Sequence, residues 1–70
     1  MKVITSPLPG LVARVLVKSG DMVKRGQVVV VLNVMKTEIG VEATEEGIVN
    51  DVHVKEWDEV DVGTPLVSLQ

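Results

Sequence analysis

Apolar residues in this chain cluster in short runs, Leu11–Val17, Val28–Leu32, Ile48–Val54 and Leu66–Leu69, most of them valine. β-Branched side chains suit a pleated, half-buried surface better than a helix. No window keeps the i, i+3, i+4 spacing of an amphipathic helix beyond one turn. Between the runs stand Pro7, Pro9, Gly10, Gly20, Gly26, Gly40, Gly47, Gly63 and Pro65. Short strands with turn residues at frequent intervals predict an all-β sandwich or barrel. The longer strands are expected near 11–18, 28–34, 48–55 and 65–69.

Comparing the chain with itself sharpens this picture. A shift of 37 residues superposes Gly10 on Gly47, Val12 on Val49, Val15 on Val52, Val17 on Val54 and Lys18 on Lys55. It also superposes Asp21 on Asp58, Val23 on Val60, Gly26 on Gly63, Val30 on Val67 and Leu32 on Leu69. Ten identities in 23 ungapped positions define two half repeats, about 1–33 and 38–70, of one domain covering 1–70. Each half reads as strand, turn, short strand, turn, strand. The apolar positions Val12, Val15 and Val17 break strict alternation by one step, as do Val49, Val52 and Val54. A slip shared by both halves predicts a β-bulge in each. Asp21 and Asp58 stand where a short acceptor closes a turn onto backbone N–H groups. Gly26 and Gly63 supply positive φ before the last strand of each half. Neither half can bury its apolar face alone, so the two should pack as a pseudo-two-fold sandwich around one valine-rich core.

The link between the repeats is the hairpin Asn33-Val34-Met35-Lys36-Thr37-Glu38. It is expected on the symmetry axis at one end of the molecule, with both chain ends at the other. Lys36 at its tip is then held out in solvent. No base is placed to deprotonate its amine, so an enzyme acting on it must supply the activation. Met35 beside it is a soft apolar surface for recognition, while Val34 and Thr37 shape the hairpin and Glu38 reads as a solvated acid.

Composition narrows the function. Seventy residues make one small core. The absence of cysteine removes thiolate chemistry, and a single histidine, His53, leaves any metal site dependent on carboxylates. No apolar run reaches the roughly 18 residues that span a bilayer, and the first residues are too polar for a signal peptide, so a cytoplasmic protein is expected. The net charge is −3. Residues 1–35 carry five basic groups against Asp21, and residues 36–70 carry Lys36 and Lys55 against nine acids. A nucleic-acid binder would need a basic surface with stacking aromatics, and Trp57 is the only aromatic residue. His53 alternates with Val52 and Val54 and should face solvent without a catalytic partner. Trp57 is read as a turn residue half-buried against the sandwich. No nucleophile, base or metal constellation marks the chain as an enzyme.

Val34-Met35-Lys36-Thr37 resembles the attachment motif of the biotinyl (biotin carboxyl carrier) domains of biotin-dependent carboxylases and decarboxylases. The opening Ser6-Pro7-Leu8-Pro9-Gly10-Leu11-Val12 is similar to the proline–glycine start of those domains. Val17-Lys18-Ser19-Gly20-Asp21-Met22-Val23, Gly26-Gln27 and Glu46-Gly47-Ile48-Val49 continue the likeness along essentially the whole chain. The resemblance implies a flattened β-barrel of two four-stranded antiparallel sheets, a barrel-sandwich hybrid, with biotin joined by an amide to Lys36. It implies a swinging arm that carries a carboxyl group between biotin carboxylase and carboxyltransferase partners, loaded by a biotin protein ligase, with no catalysis by the domain itself. Three positions depart from the family pattern. Asn33 stands where glutamate is common, Thr37 where methionine is common, and Trp57 where glycine is common. The related lipoyl domains usually have Asp-Lys-Ala at the hairpin, and Met35 and Thr37 favour biotin over lipoate. A lipoyl carrier, or an unmodified docking module of the same fold, are the alternatives.

Overall fold

The computed structural model describes residues 2–70, all in strands, turns and extended links. The strands are β1 (Lys2–Thr5), β2 (Gly10–Val15), β3 (Met22–Val23), β4 (Val28–Val34), β5 (Thr37–Glu42), β6 (Gly47–Val52), β7 (Glu59–Val60) and β8 (Pro65–Leu69). They form two four-stranded sheets, ordered β1-β8-β6-β3 and β5-β4-β2-β7, and every pairing is antiparallel. Moving each strand 37 residues along the chain turns one sheet into the other. Each half therefore gives two central strands to one sheet and two edge strands to its partner, so the halves interlock.

The repeat is visible bond by bond. Asp21 accepts the Lys18 N–H through Oδ2 at 2.9 Å, and Asp58 accepts the Lys55 N–H at the same distance. The carbonyl of Asp21 takes the Val49 N–H at 2.8 Å, and that of Asp58 takes the Val12 N–H at 2.9 Å, so each turn is tied to the other half. Gly26 and Gly63 have φ of 87° and 84°. The predicted bulges fall at Ala13, unpaired between Val12 and Arg14, and at Asn50, unpaired between Val49 and Asp51. Each bulge returns the next apolar residue to the inside, which is why the alternation slips. The ladders end at Val15 and Val52, three residues earlier than expected. Beyond them a single bond continues each strand, from Leu16 N–H to the Val29 carbonyl and from His53 N–H to the Leu66 carbonyl.

The core is drawn in matched pairs: Val12 and Val49, Val23 and Val60, Val29 and Leu66, Val30 and Val67, Leu32 and Leu69, all at most 4% exposed. A fully buried valine or leucine is worth about 1.5–3 kcal/mol relative to exposure, so this double row is the main source of stability.

Placement of the β4–β5 hairpin differs from expectation in one respect. A shift of 37 carries its flanks onto the chain ends, not onto themselves, so the hairpin is the image of the ends and does not lie on the symmetry axis. The separation of the two still holds. The hairpin shares a groove with Pro9, Glu59 and Val60, and these residues border Thr64, where β8 begins. Lys2 pairs with Leu69, where β8 finishes.

Candidate functional site

The hairpin closes tightly. Val34 pairs with Thr37, leaving Met35 and Lys36 as a two-residue loop. Both have positive φ, 52° and 69°, the signature of the type I′ turn that matches the twist of two antiparallel strands. That turn normally takes Asn-Gly, because L-residues with a Cβ are strained in the left-handed region. Met35-Lys36 fills it against local preference, and strain of this kind concentrates at functional sites.

Asn33 offsets part of the strain. Its Oδ1 accepts the Lys36 N–H at 3.1 Å, clasping the loop from below. Sequence reasoning recorded Asn33 only as a departure from a family pattern. The signal that finds it is the short Asx side chain three residues before a turn N–H. Gly10 lies against the same base. A Cβ there would stand 2.8 Å from the Asn33 carbonyl oxygen and 2.9 Å from Val34 Cγ2. The start of β2 can pass under the hairpin only as glycine.

Met35 is 92% exposed, so it points away from the sheet edge. Lys36 and Thr37 are exposed, and Val34 is half-buried against the core. Among the described residues no ion pair or side-chain hydrogen bond engages the Lys36 amine. Pro9, Gly10, Leu11, Glu59 and Val60 complete a shallow groove beside Val34, Met35 and Lys36. These five come from segments far from the hairpin in sequence, and only the fold brings them there. Glu38 is not a free acid: its Oε1 lies 3.4 Å from Arg14 Nη2. Both side chains are 58% exposed, so the pair adds little stability.

Two expectations away from the hairpin change. Trp57 is 75% exposed rather than half-buried. Its backbone is held by the turn, with φ at 76°, and this directs the indole outward. His53 does face solvent, but Ser68, buried on the neighbouring strand β8, lies within hydrogen-bond distance of its Nε2. The 15-residue separation hides that contact from a spacing argument. No group of three or more metal-ligating side chains occurs among the described residues, nor does a helix long and apolar enough to cross a membrane.

Residues 2–69 match the family described as biotin-requiring enzyme, the biotin/lipoyl domains. The chain belongs to that family. Curated relatives include the mitochondrial propionyl-CoA carboxylase alpha chain of Sus scrofa, 41% identical over 97% of this chain and 9% of that protein. The biotin carboxyl carrier protein of acetyl-CoA carboxylase from Solanum lycopersicum is 39% identical over 96% of both chains. The biotin/lipoyl attachment protein of Bacillus subtilis is 39% identical over 94% of this chain and 90% of that protein. Among solved structures, the Kluyveromyces lactis urea carboxylase superposes with a TM-score of 0.91 over 99% of this chain and 6% of that one, at 29% identity. The chain thus spans about a tenth or less of the multidomain carboxylases it matches. The biotin/lipoyl fold accounts for the interlocked sheets, and the tight β4–β5 hairpin joins the half repeats.

Biotin would fit here on geometric grounds. The Lys36 amine is exposed and uncommitted, and the loop that carries it is fixed by Asn33 and by the ladder below. Glu59 is the one carboxylate among the residues lining the groove, and the hairpin's own loop, Met35-Lys36, carries no acid or histidine.

Proposed function

We propose that this chain is a biotin carboxyl carrier domain whose Lys36 Nζ forms an amide with biotin. The observation that carries the reading is a strained two-residue turn presenting a free lysine next to a 92%-exposed methionine, in a chain of the biotin-requiring family. When bound, biotin supplies a site that accepts and releases a carboxyl group. The chain's own residues do the rest. Asn33 and the β4–β5 ladder hold the attachment point rigid, Met35 and Thr37 give a biotin protein ligase its recognition surface, and Val34 anchors the hairpin to the core. The domain is a non-catalytic carrier that serves a biotin carboxylase and a carboxyltransferase, in a cytoplasmic setting on the composition alone. A rigid body with a flexible arm raises the local concentration of cargo at both sites without new contacts.

The test is intact mass after incubation with biotin protein ligase, ATP and biotin. One biotin adduct is expected, and none on Lys36→Ala. No adduct on the parent chain, or one that survives Lys36→Ala, refutes the reading. A parallel reaction with lipoate ligase addresses the lipoyl alternative; lipoylation without biotinylation would decide for it.

A further inference from the structure

Glu59 stands on the outer surface of the hairpin's sheet with nothing to pair with. It lies directly opposite Leu11 between β7 and β2, and Leu11 lies opposite Asn33 between β2 and β4. Directly opposed residues share one face of a sheet, so Asn33, Leu11 and Glu59 form a row that leads away from the hairpin. Leu11 is 40% exposed and Glu59 is exposed. Among the described residues no salt bridge engages the Glu59 carboxylate. Its acidic neighbours along the chain are both occupied. Asp58 accepts the Lys55 N–H at 2.9 Å, and Asp61 accepts the Val62 N–H at 2.7 Å. The internal repeat gives a comparison within the molecule. A shift of 37 residues takes Glu59 to Met22 and Leu11 to Ile48, and Met22 pairs with Ile48 as Glu59 pairs with Leu11. Both members of that second pair are apolar, 61% and 39% exposed. Apolar cross-strand pairs support a sheet, whereas a carboxylate facing a leucine does not. The scaffold is therefore satisfied by methionine where the hairpin's sheet carries a free acid.

That acid lines the same groove as the attachment lysine. Val34, Met35 and Lys36 form one side of it, and Leu11, Glu59 and Val60 lie opposite. The groove holds about 450 Å³, within the range of small-ligand sites. The Oδ1 of Asn33 is already taken by the Lys36 N–H. An amide at Lys36 Nζ removes the lysine charge, which leaves Glu59 as the only charged group of the lining. The distances suit an arm rooted at Lys36. Glu59 is two strands away, about 10 Å at the usual strand spacing, and three residues back from the tip, roughly another 10 Å. A lysine side chain extended by the five-carbon acyl chain of biotin reaches roughly 14 Å at standard bond lengths, and the bicyclic ring begins there. The ureido group of that ring has two N–H donors, which a carboxylate can accept. The rest of the arm is hydrocarbon and a thioether, suited to Leu11 and Met35.

We infer that this groove is a resting site for the biotin arm, with the acyl chain laid on Leu11 and the ureido N–H groups donating to Glu59. This rests on the carrier reading above. Tethering puts the ring at an effective concentration on the order of millimolar, so a weak site is enough to hold it. An arm that has gained a carboxyl group is an anion, which Glu59 repels. The site therefore holds the arm while it is uncharged and lets it go once it is charged.

Heteronuclear spectra of the unmodified and biotinylated chains test this. Biotinylation should move the amides of Leu11 and Glu59 as well as those of residues 34–38, and should give nuclear Overhauser contacts between ring protons and the Leu11 methyl groups. Glu59→Met, which copies the pair found in the other half, should erase those contacts while the rest of the spectrum keeps its dispersion. The same variant should speed capture of the biotinylated chain by streptavidin about threefold or more, since a resting ring must leave the groove before it is caught. Amide shifts confined to residues 34–38 in the parent, or contacts and capture rate unchanged in Glu59→Met, overturn the proposal. Failure of the carrier reading shows separately, as a missing mass adduct. The groove is then decided on the unmodified chain by titration with biotin methyl amide at millimolar concentration: saturable shifts at Leu11 and Glu59 support the site, and their absence overturns it.

Discussion

Replacing Met35 by asparagine should make the protein more stable and a poorer substrate at once. Met35 sits at φ 52° as the first loop residue of a type I′ turn, where asparagine is among the preferred residues. The left-handed region costs an ordinary L-residue about 1–2 kcal/mol, and asparagine, which bonds locally there, recovers about 1 kcal/mol of it. Against this stands the lost burial of methionine, which is 92% exposed. The covered remainder, roughly 15 Å² at about 25 cal/mol per Å², is worth about 0.4 kcal/mol. The net gain is about 0.6 kcal/mol, or a rise in Tm of roughly 2–5 °C for a domain of this size. If the ligase buries this side chain, its loss removes about 1.5–3 kcal/mol of recognition, a fall in kcat/KM for biotinylation of roughly tenfold to a hundredfold. Calorimetry and a ligase progress curve on the same sample read both numbers. An unchanged or lowered Tm refutes the strain argument; biotinylation at the parent rate refutes the recognition role.

Three further outcomes follow from the same geometry. Asn33→Ala removes the acceptor of the Lys36 N–H and should cost about 1 kcal/mol, a fall in Tm of roughly 4–8 °C with faster exchange of the Lys36 amide; Asn33→Asp should keep the Tm near that of the parent at pH 7. Gly10→Ala places a methyl against the Asn33 carbonyl and Val34 and should cost about 1–3 kcal/mol, with amide shifts at residues 33–36 in heteronuclear spectra. Asp21 and Asp58 are held below the usual carboxylate range, chiefly by the backbone N–H groups of Lys18 and Lys55, with the lysine charges adding to the effect. A depressed folded value means that stability is present above the unfolded value of about 3.9 and is lost as pH falls through the folded one. Urea midpoints of the parent and of Asp21→Asn with Asp58→Asn should therefore differ at pH 7 and converge below about pH 4; a gap that persists in acid contradicts the assignment.

The all-β class, both bulges, both aspartate turns and the valine core were legible in the sequence because the chain states each of them twice. A turn residue such as Asp21 is ambiguous alone; the same residue 37 positions later, in the same surroundings, is not. What the repeat could not convey is contact between its halves. That β3 and β7 cross over to edge the opposite sheets, or that Gly10 runs beneath Val34, depends on packing rather than on periodicity. Ser68 was missed beside His53 for the same reason. The hairpin's exposure was legible, while its strain was not, since Met-Lys carries no turn signal.

Where the halves differ is therefore more informative than where they agree. Agreement marks what the scaffold needs: matched valines, aspartates that close turns, glycines at positive φ. A position at which one copy keeps the solution best for folding and the other abandons it has been shaped by something other than folding. Trp57 is such a position, since its image is Gly20, also at positive φ. The hairpin, which has no counterpart in the repeat, likewise fills a left-handed turn with non-glycine residues, Met35-Lys36. Both break local backbone preference, both expose an apolar side chain, and both lie on the sheet formed by β5, β4, β2 and β7. The opposite sheet is edged by the turn of Gly20, the counterpart of Trp57. The strained residues thus gather with one sheet, the one that carries the hairpin, while among the described residues the opposite sheet has positive φ only at glycine.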